Sequence, residues 1–267
     1  MDESFLSEPL VIEASRDFVC VRLTTYENQT EHDFMKKLYG RSNQKIENTT
    51  FAILSPDQKD VFVRPGRSPH FSYRNPVQLA AHMYKIADEY REQPSMASSG
   101  IAPIAANVKI ALNIAASDKL PLVVAVADSE QARKSVEANL SEAAWNEKLV
   151  GRFAMVSTAD AGELKSIELG DFEQATNNNG GYLVVQPGKF GTNGKVLAHI
   201  AADSDKLAES LLVGIEKFKV WNSLPHRAHI EKGAEQGVFW ETNLPVTDRM
   251  EARARERTKQ MIKEKRR

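Results

Sequence analysis

Residues 122–127 are six consecutive apolar residues, Leu-Val-Val-Ala-Val-Ala, and no other stretch constrains the fold as much. A strand without a polar position on either face must be covered on both, as in a parallel sheet held between helices. The flanking sequence supplies the covering elements. Upstream, Ile104, Val108, Ala111, Leu112 and Ala115 recur on one helical face. Downstream come helical segments at 132–140 and 143–149, a strand at 152–156, a short helix near 162–167 and a Gly180-Gly181 turn. Residues 182–186 and 196–200 then predict a hairpin across Pro187-Gly188. Asp203 or Ser204 is the expected cap of a last helix with Leu207, Leu211, Ile215 and Phe218 on its face.

The front of the chain follows a similar order. Residues 6–14 predict a short helix with Pro9 in its first turn. Residues 18–23, with Cys20 in the middle, predict a buried strand. Thr30 and Asp33 approximate a capping box for a helix carrying Phe34, Met35 and Leu38. Two β-rich runs, 50–54 and 61–63, flank a Pro56-Asp57 turn and predict a hairpin. Asn75 as N-cap and Pro76 at the first helical position then open a helix with Leu79, Met83, Ile86 and Tyr90 at helical spacing. Both halves therefore end with strand, helix, hairpin and helix. The expected division is an incomplete first domain at 1–92, a linker at 93–103 rich in Pro, Ser, Gly and Ala, a second domain at 104–219, and an extension with a charged helical tail at 220–267. Trp221, Phe239 and Trp240 in that extension are expected to pack over the second domain.

This order resembles the thioredoxin superfamily. The first-domain likeness rests on Phe18-Val-Cys-Val-Arg-Leu23 leading through a helix to Asn48-Thr-Thr-Phe-Ala-Ile-Leu-Ser-Pro-Asp57, where the family usually reads "P-T-x-x-x-x-D-x-x-G". Met1-Asp-Glu-Ser-Phe-Leu-Ser-Glu-Pro-Leu-Val-Ile12 is similar to bacterial thioredoxin-domain proteins whose active-site helix continues into "M-x-x-x-(S/T)-F-x-x-x-x-V". The likeness covers residues 1–92 in sequence and 104–219 in architecture only. It implies two tandem α/β domains of thioredoxin-like fold, each a mixed sheet flanked by helices, the first lacking its opening strand. The family's reactive cysteine pair sits at a helix N-terminus, where the dipole favours thiolate. Here that motif is absent from the first domain, the place of the cis-proline facing it falls on Thr49, and the equivalent loop of the second domain is Asp128-Ser-Glu-Gln131.

Cys20 is the only cysteine, and mid-strand it is expected to pack as a small buried hydrophobe with little reactivity. The loop at 64–69 is the most distinctive: Arg64, Arg67, Ser68 and the Gly66 backbone could converge on an anion or a partner's acidic group, or simply order the approach to the next helix. His226 and His229 stand three apart, without a third metal ligand in evidence from the sequence. Asn177-Asn-Asn-Gly-Gly181 reads as a flexible surface loop without a phosphate-binding pattern. Residues 248–267 hold nine Lys or Arg against four acids, and Arg253, Arg255 and Arg257 could touch RNA or an anionic membrane surface; a solvated, frayed helix is the alternative.

Composition sets outer bounds. With 42% hydrophobic and 27% charged residues the chain can bury a sizeable core, and a net charge of -1 argues against binding driven by whole-protein electrostatics. No apolar run is long enough to span a bilayer and no signal peptide is visible, so a cytoplasmic location is expected; a start upstream of Met1 would reopen the periplasm. The leading expectation is a redox-inactive binding or assembly module with an unknown protein partner and no cofactor or metal. The alternative is a thiol–disulfide oxidoreductase whose first strand and cysteine motif lie outside this sequence. A third is association with RNA or an anionic surface through the basic tail.

Overall fold

The computed structural model describes residues 5–21, 23–39, 50–91, 102–172 and 180–265. The chain divides into two compact units, one of residues 1–99 with 230–267 and the other of residues 100–229.

The first unit opens with α1 (Pro9–Ser15), Pro9 occupying the first turn, and continues with α2 (Gln29–Leu38). The cap of α2 is Asn28, whose side chain accepts from the Thr30 and Glu31 amides, in place of the expected Thr30–Asp33 box. Glu31 turns back to accept from the Thr24 amide and from Thr24 Oγ1 at 2.8 Å. β1 (Phe51–Leu54) and β2 (Val61–Gly66) pair antiparallel as a two-stranded sheet. Their turn is held by Asp57, which accepts from Ser55 Oγ at 2.7 Å and pairs with Lys59 at 2.9 Å. The Ser55 bond, then those from Lys59, hold this carboxyl down at about 2. α3 (Pro76–Arg91) begins as expected at Asn75, whose side chain accepts from the Gln78 amide at 3.0 Å. Phe5, Val11, Ala14, Ile53, Val63, Tyr73, Leu79 and Met83 form the buried core between these elements.

Residues 18–21 form no strand. Val19 is 56% and Val21 60% exposed, and Cys20 is exposed as well, which corrects the expectation of a buried thiol. The reason is pairing: β-prone side chains make a strand only where a neighbouring strand accepts their backbone, and the sheet of this unit consists of β1 and β2 alone among the described residues. Phe18 alone of this run is packed against the core.

The second unit is built on a six-stranded mixed sheet of β3 (Ile104–Ala105), β4 (Leu122–Val126), β5 (Ala154–Thr158), β6 (Ile167–Glu168), β7 (Gly181–Pro187) and β8 (Gly194–Ile200), in the order β3-β5-β4-β7-β8-β6. β3, β5 and β4 run parallel, β7 is antiparallel to both β4 and β8, and β6 is parallel to β8. All five residues of β4 are buried, as an apolar run in the centre of a two-sided sheet requires. On one face, Val123, Ala125, Tyr182 and Val184 meet α5 (Glu130–Ala144) and α6 (Leu207–Ile215) through Val136, Leu140, Leu211 and Ile215. On the other, Leu122, Val124, Leu183 and Val185 meet α4 (Val108–Asp118) through Val108, Ala111, Leu112 and Ala115. α4 is capped by Asn107. The residue before α6 is Lys206, without a side-chain cap, in place of Asp203 or Ser204. α5 ends at Ala144, so that only the first two residues of the helix expected at 143–149 are helical and 145–149 are turns and a bend. The chain is therefore α/β, with mixed pairing in the larger sheet and helices on its faces.

The extension departs from expectation. Residues 220–229, with Trp221, belong to the second unit as expected, but from Ile230, inside α7 (His226–Glu235), the chain belongs to the first. Glu27 gathers it: its carboxylate accepts from Trp240 Nε1 at 2.8 Å, its carbonyl accepts from Asn243 Nδ2 at 3.2 Å, and the neighbouring Tyr26 carbonyl accepts from the Leu244 amide at 2.8 Å. The chain ends in α8 (Arg249–Lys265), capped by Asp248 through the Met250 and Glu251 amides. The expected frayed helix has a docked side: Ile262 is buried, Arg255 donates to the Trp240 carbonyl, and Arg255 and Lys259 lie 5.1 and 5.0 Å from the Phe239 ring centre.

Candidate functional site

The most structured concentration of polar chemistry in the second unit lies at the carboxyl ends of β4 and β5, the edge where open α/β sheets place their sites. The apolar run of β4 stops at Ala127, whose amide donates to the Thr158 carbonyl at the end of β5 at 3.0 Å. Asp128 and Ser129 then turn outward. Ser129 has an extended backbone and is the N-cap of α5, its Oγ accepting from the Ala132 amide at 3.3 Å. The partial positive charge of the α5 N-terminus is thus presented at an exposed serine, where a thiolate would be stabilised if one stood there.

One turn into α5, Arg133 ties the helix to the sheet. It donates to both carboxylate oxygens of Glu130, at 2.8 and 2.6 Å, to Glu137 at 2.5 Å and to Ser157 Oγ at 2.7 Å; Ser157 in turn donates to Glu137. Glu130, then Glu137, raises the guanidinium pKa, and Arg133 lowers that of Glu130. Ser157 is 8% exposed, so a buried hydroxyl on β5 is satisfied entirely by this network.

Facing this loop is Gly180, the residue before β7. It is buried with φ +68°, and a Cβ built there would fall 2.3 Å from the Val126 carbonyl oxygen and 3.1 Å from Ala127 Cα. Its own carbonyl lies 3.1 Å from His199 Nε2, which donates to it. Only glycine lets the chain pass this close to the end of β4. The Gly180-Gly181 pair, expected to lie in a flexible surface loop, is a close-packed seam; residues 173–179 before it lie outside the described residues.

The other candidates are placed as follows. Arg64 is exposed on β2, which runs further than expected, to Gly66, and Gly66 stands opposite Phe51 in the ladder. Arg67 is exposed, and Ser68 Oγ accepts from the His70 amide at 3.3 Å as the cap of a 3-10 turn, Pro69–Phe71. The Ser68 hydroxyl and the Gly66 strand position are thus used within the fold. Thr49 lies outside the described residues. His229 packs against the Phe190 ring at 4.8 Å and His226 is exposed. No group of three His, Cys, Asp or Glu among the described residues is placed to hold a metal ion. Cys20 Sγ lies 3.8 Å from the Ser15 carbonyl; although the residue is exposed, desolvation by the surrounding protein raises its thiol pKa. No helix among the described residues is long and apolar enough to cross a membrane.

Sequence reasoning missed the Arg133–Glu137–Ser157 network and the glycine seam. The first left a signal in the i, i+4 spacing of Arg133 and Glu137, the second in a doubled glycine directly before an apolar strand. Comparison with known proteins finds no matching family model, curated protein or solved structure.

Proposed function

We propose that this chain is a redox-inactive, thioredoxin-like protein that acts as a binding or assembly module. The reading is carried by one observation. In the second unit three parallel strands, β3, β5 and β4, are followed across the sheet by the antiparallel β7 and β8, and α5 begins directly after β4, where the resemblance places a reactive cysteine pair. Its N-terminus carries Ser129-Glu130-Gln131-Ala132 instead. The sole sulfhydryl, Cys20, belongs to the other unit and has its thiolate disfavoured. A scaffold of this kind without a dithiol keeps the surfaces by which it would hold a polypeptide.

The test is gentle purification of the full chain from its native lysate, followed by light scattering of the eluted species. The expected result is a stoichiometric complex heavier than one chain. A monomer without a stoichiometric companion would overturn the reading.

A further inference from the structure

We infer that the outward face of α8 is a binding surface for the phosphate backbone of a nucleic acid, formed by Arg249, Arg253 and Arg257. These residues stand at i, i+4 and i+8 and so share one face, spanning about 12 Å along the helix. All three are exposed, and none of their side chains makes a hydrogen bond or ion pair with a described residue.

The opposite side of the helix is what makes the stripe a surface and not a loose tail. Arg255, the middle arginine of the sequence motif, is only 20% exposed and is spent on the Trp240 carbonyl, the Phe239 ring and Glu251. Lys259 is spent on Phe239 and Glu241. With Ile262 buried, this inner side fixes the rotation of α8 and holds the three outer arginines in register.

Like charges at i, i+4 destabilise a helix, and Arg249 in the first turn also opposes the helix dipole. Glu256, exposed and three residues after Arg253, shares this face and offsets part of the repulsion; the net positive charge that remains becomes favourable when an anionic polymer lies along it. A nucleic acid is favoured over a lipid surface because a membrane-bound helix needs large apolar side chains beside its cations. Here the apolar side is already docked, and Met250 is the only large apolar residue left strongly exposed on α8. No Phe, Tyr or Trp lies on α8 to stack on bases, so the contact is with phosphates and is independent of base sequence.

The experiment is fluorescence anisotropy of the full chain titrated onto a labelled 20-base-pair DNA duplex, across a salt series. Three phosphate contacts predict a slope of log K against log salt of about -2.7, which is about 40-fold in affinity between 50 and 200 mM salt. The combined variant Arg249→Gln, Arg253→Gln, Arg257→Gln should abolish this salt-dependent binding. A charge-matched variant, Arg16→Gln, Lys36→Gln, Lys37→Gln, should retain it, both variants being checked for native circular dichroism. An unchanged slope in the first variant, equal loss in the second, or binding to phosphatidylserine vesicles without binding to the duplex would each overturn the inference.

Discussion

Replacing Ser129 and Ala132 together by cysteine should convert an inert loop into a reactive dithiol. Ser129 is the N-cap of α5 and its Oγ already reaches the Ala132 amide at 3.3 Å, so the position suits a sulfur that would receive the same hydrogen bond. The two residues stand three apart at a helix start, which puts their Cα atoms about 5 Å from each other, inside the range a disulfide spans. Position 132 is half-buried against the core, suited to the resolving sulfur, while position 129 is exposed, suited to attack. A helix N-terminus lowers a thiol pKa from about 8.5 toward about 7, which raises the thiolate fraction at neutral pH about 15-fold. Glu130, the one carboxylate between the two positions, is engaged by Arg133. The expected results are an ultraviolet thiolate titration midpoint near neutrality and a disulfide that closes under mild oxidation. An ordinary thiol midpoint, with no intramolecular disulfide, would mean that the loop does not have the geometry assigned to it.

The second large effect belongs to Gly180→Ala. The added methyl would meet the Val126 carbonyl oxygen at 2.3 Å, and that oxygen belongs to the backbone of the central strand, which cannot swing aside as a side chain can. Overpacking of this kind and a left-handed backbone conformation together cost about 3 kcal/mol. Gly151→Ala is the matched control. Gly151 has a similar φ of +72° but nothing within 4 Å of the added carbon, so it isolates the conformational part at about 1 kcal/mol. Urea unfolding of the two variants should place Gly180→Ala well below Gly151→Ala. Equal midpoints would show that the seam between Gly180 and β4 is looser than described.

Legibility in the sequence followed the range of the interactions. The six apolar residues at 122–127 announced a doubly covered strand because burial on both faces leaves no polar position. Asn75 and Pro76 marked the start of α3 because caps act over a single turn. Residues 18–21 misled for the converse reason: Val19 and Val21 have the right chemistry for a strand, but a strand also needs a neighbour, and neighbours are set by the rest of the chain. The inner face of α8 was equally hidden, since Arg255 meets Phe239 and Trp240, and Trp240 is itself placed by a hydrogen bond to Glu27, more than 200 residues away in sequence. Around the candidate site, the missing cysteines were plain from the sequence, whereas Gly180 was masked by its Asn-rich surroundings, a composition that reads as loop.

The proposed account stands or falls on whether this polypeptide exchanges electrons. The most direct measurement is the rate at which the purified full chain accelerates reduction of insulin disulfides by dithiothreitol, beside the Cys20→Ser variant. The account predicts that both proceed at the uncatalysed rate. Turnover by the unsubstituted chain that disappears in Cys20→Ser would contradict it, and would place redox chemistry at the exposed thiol of the first unit.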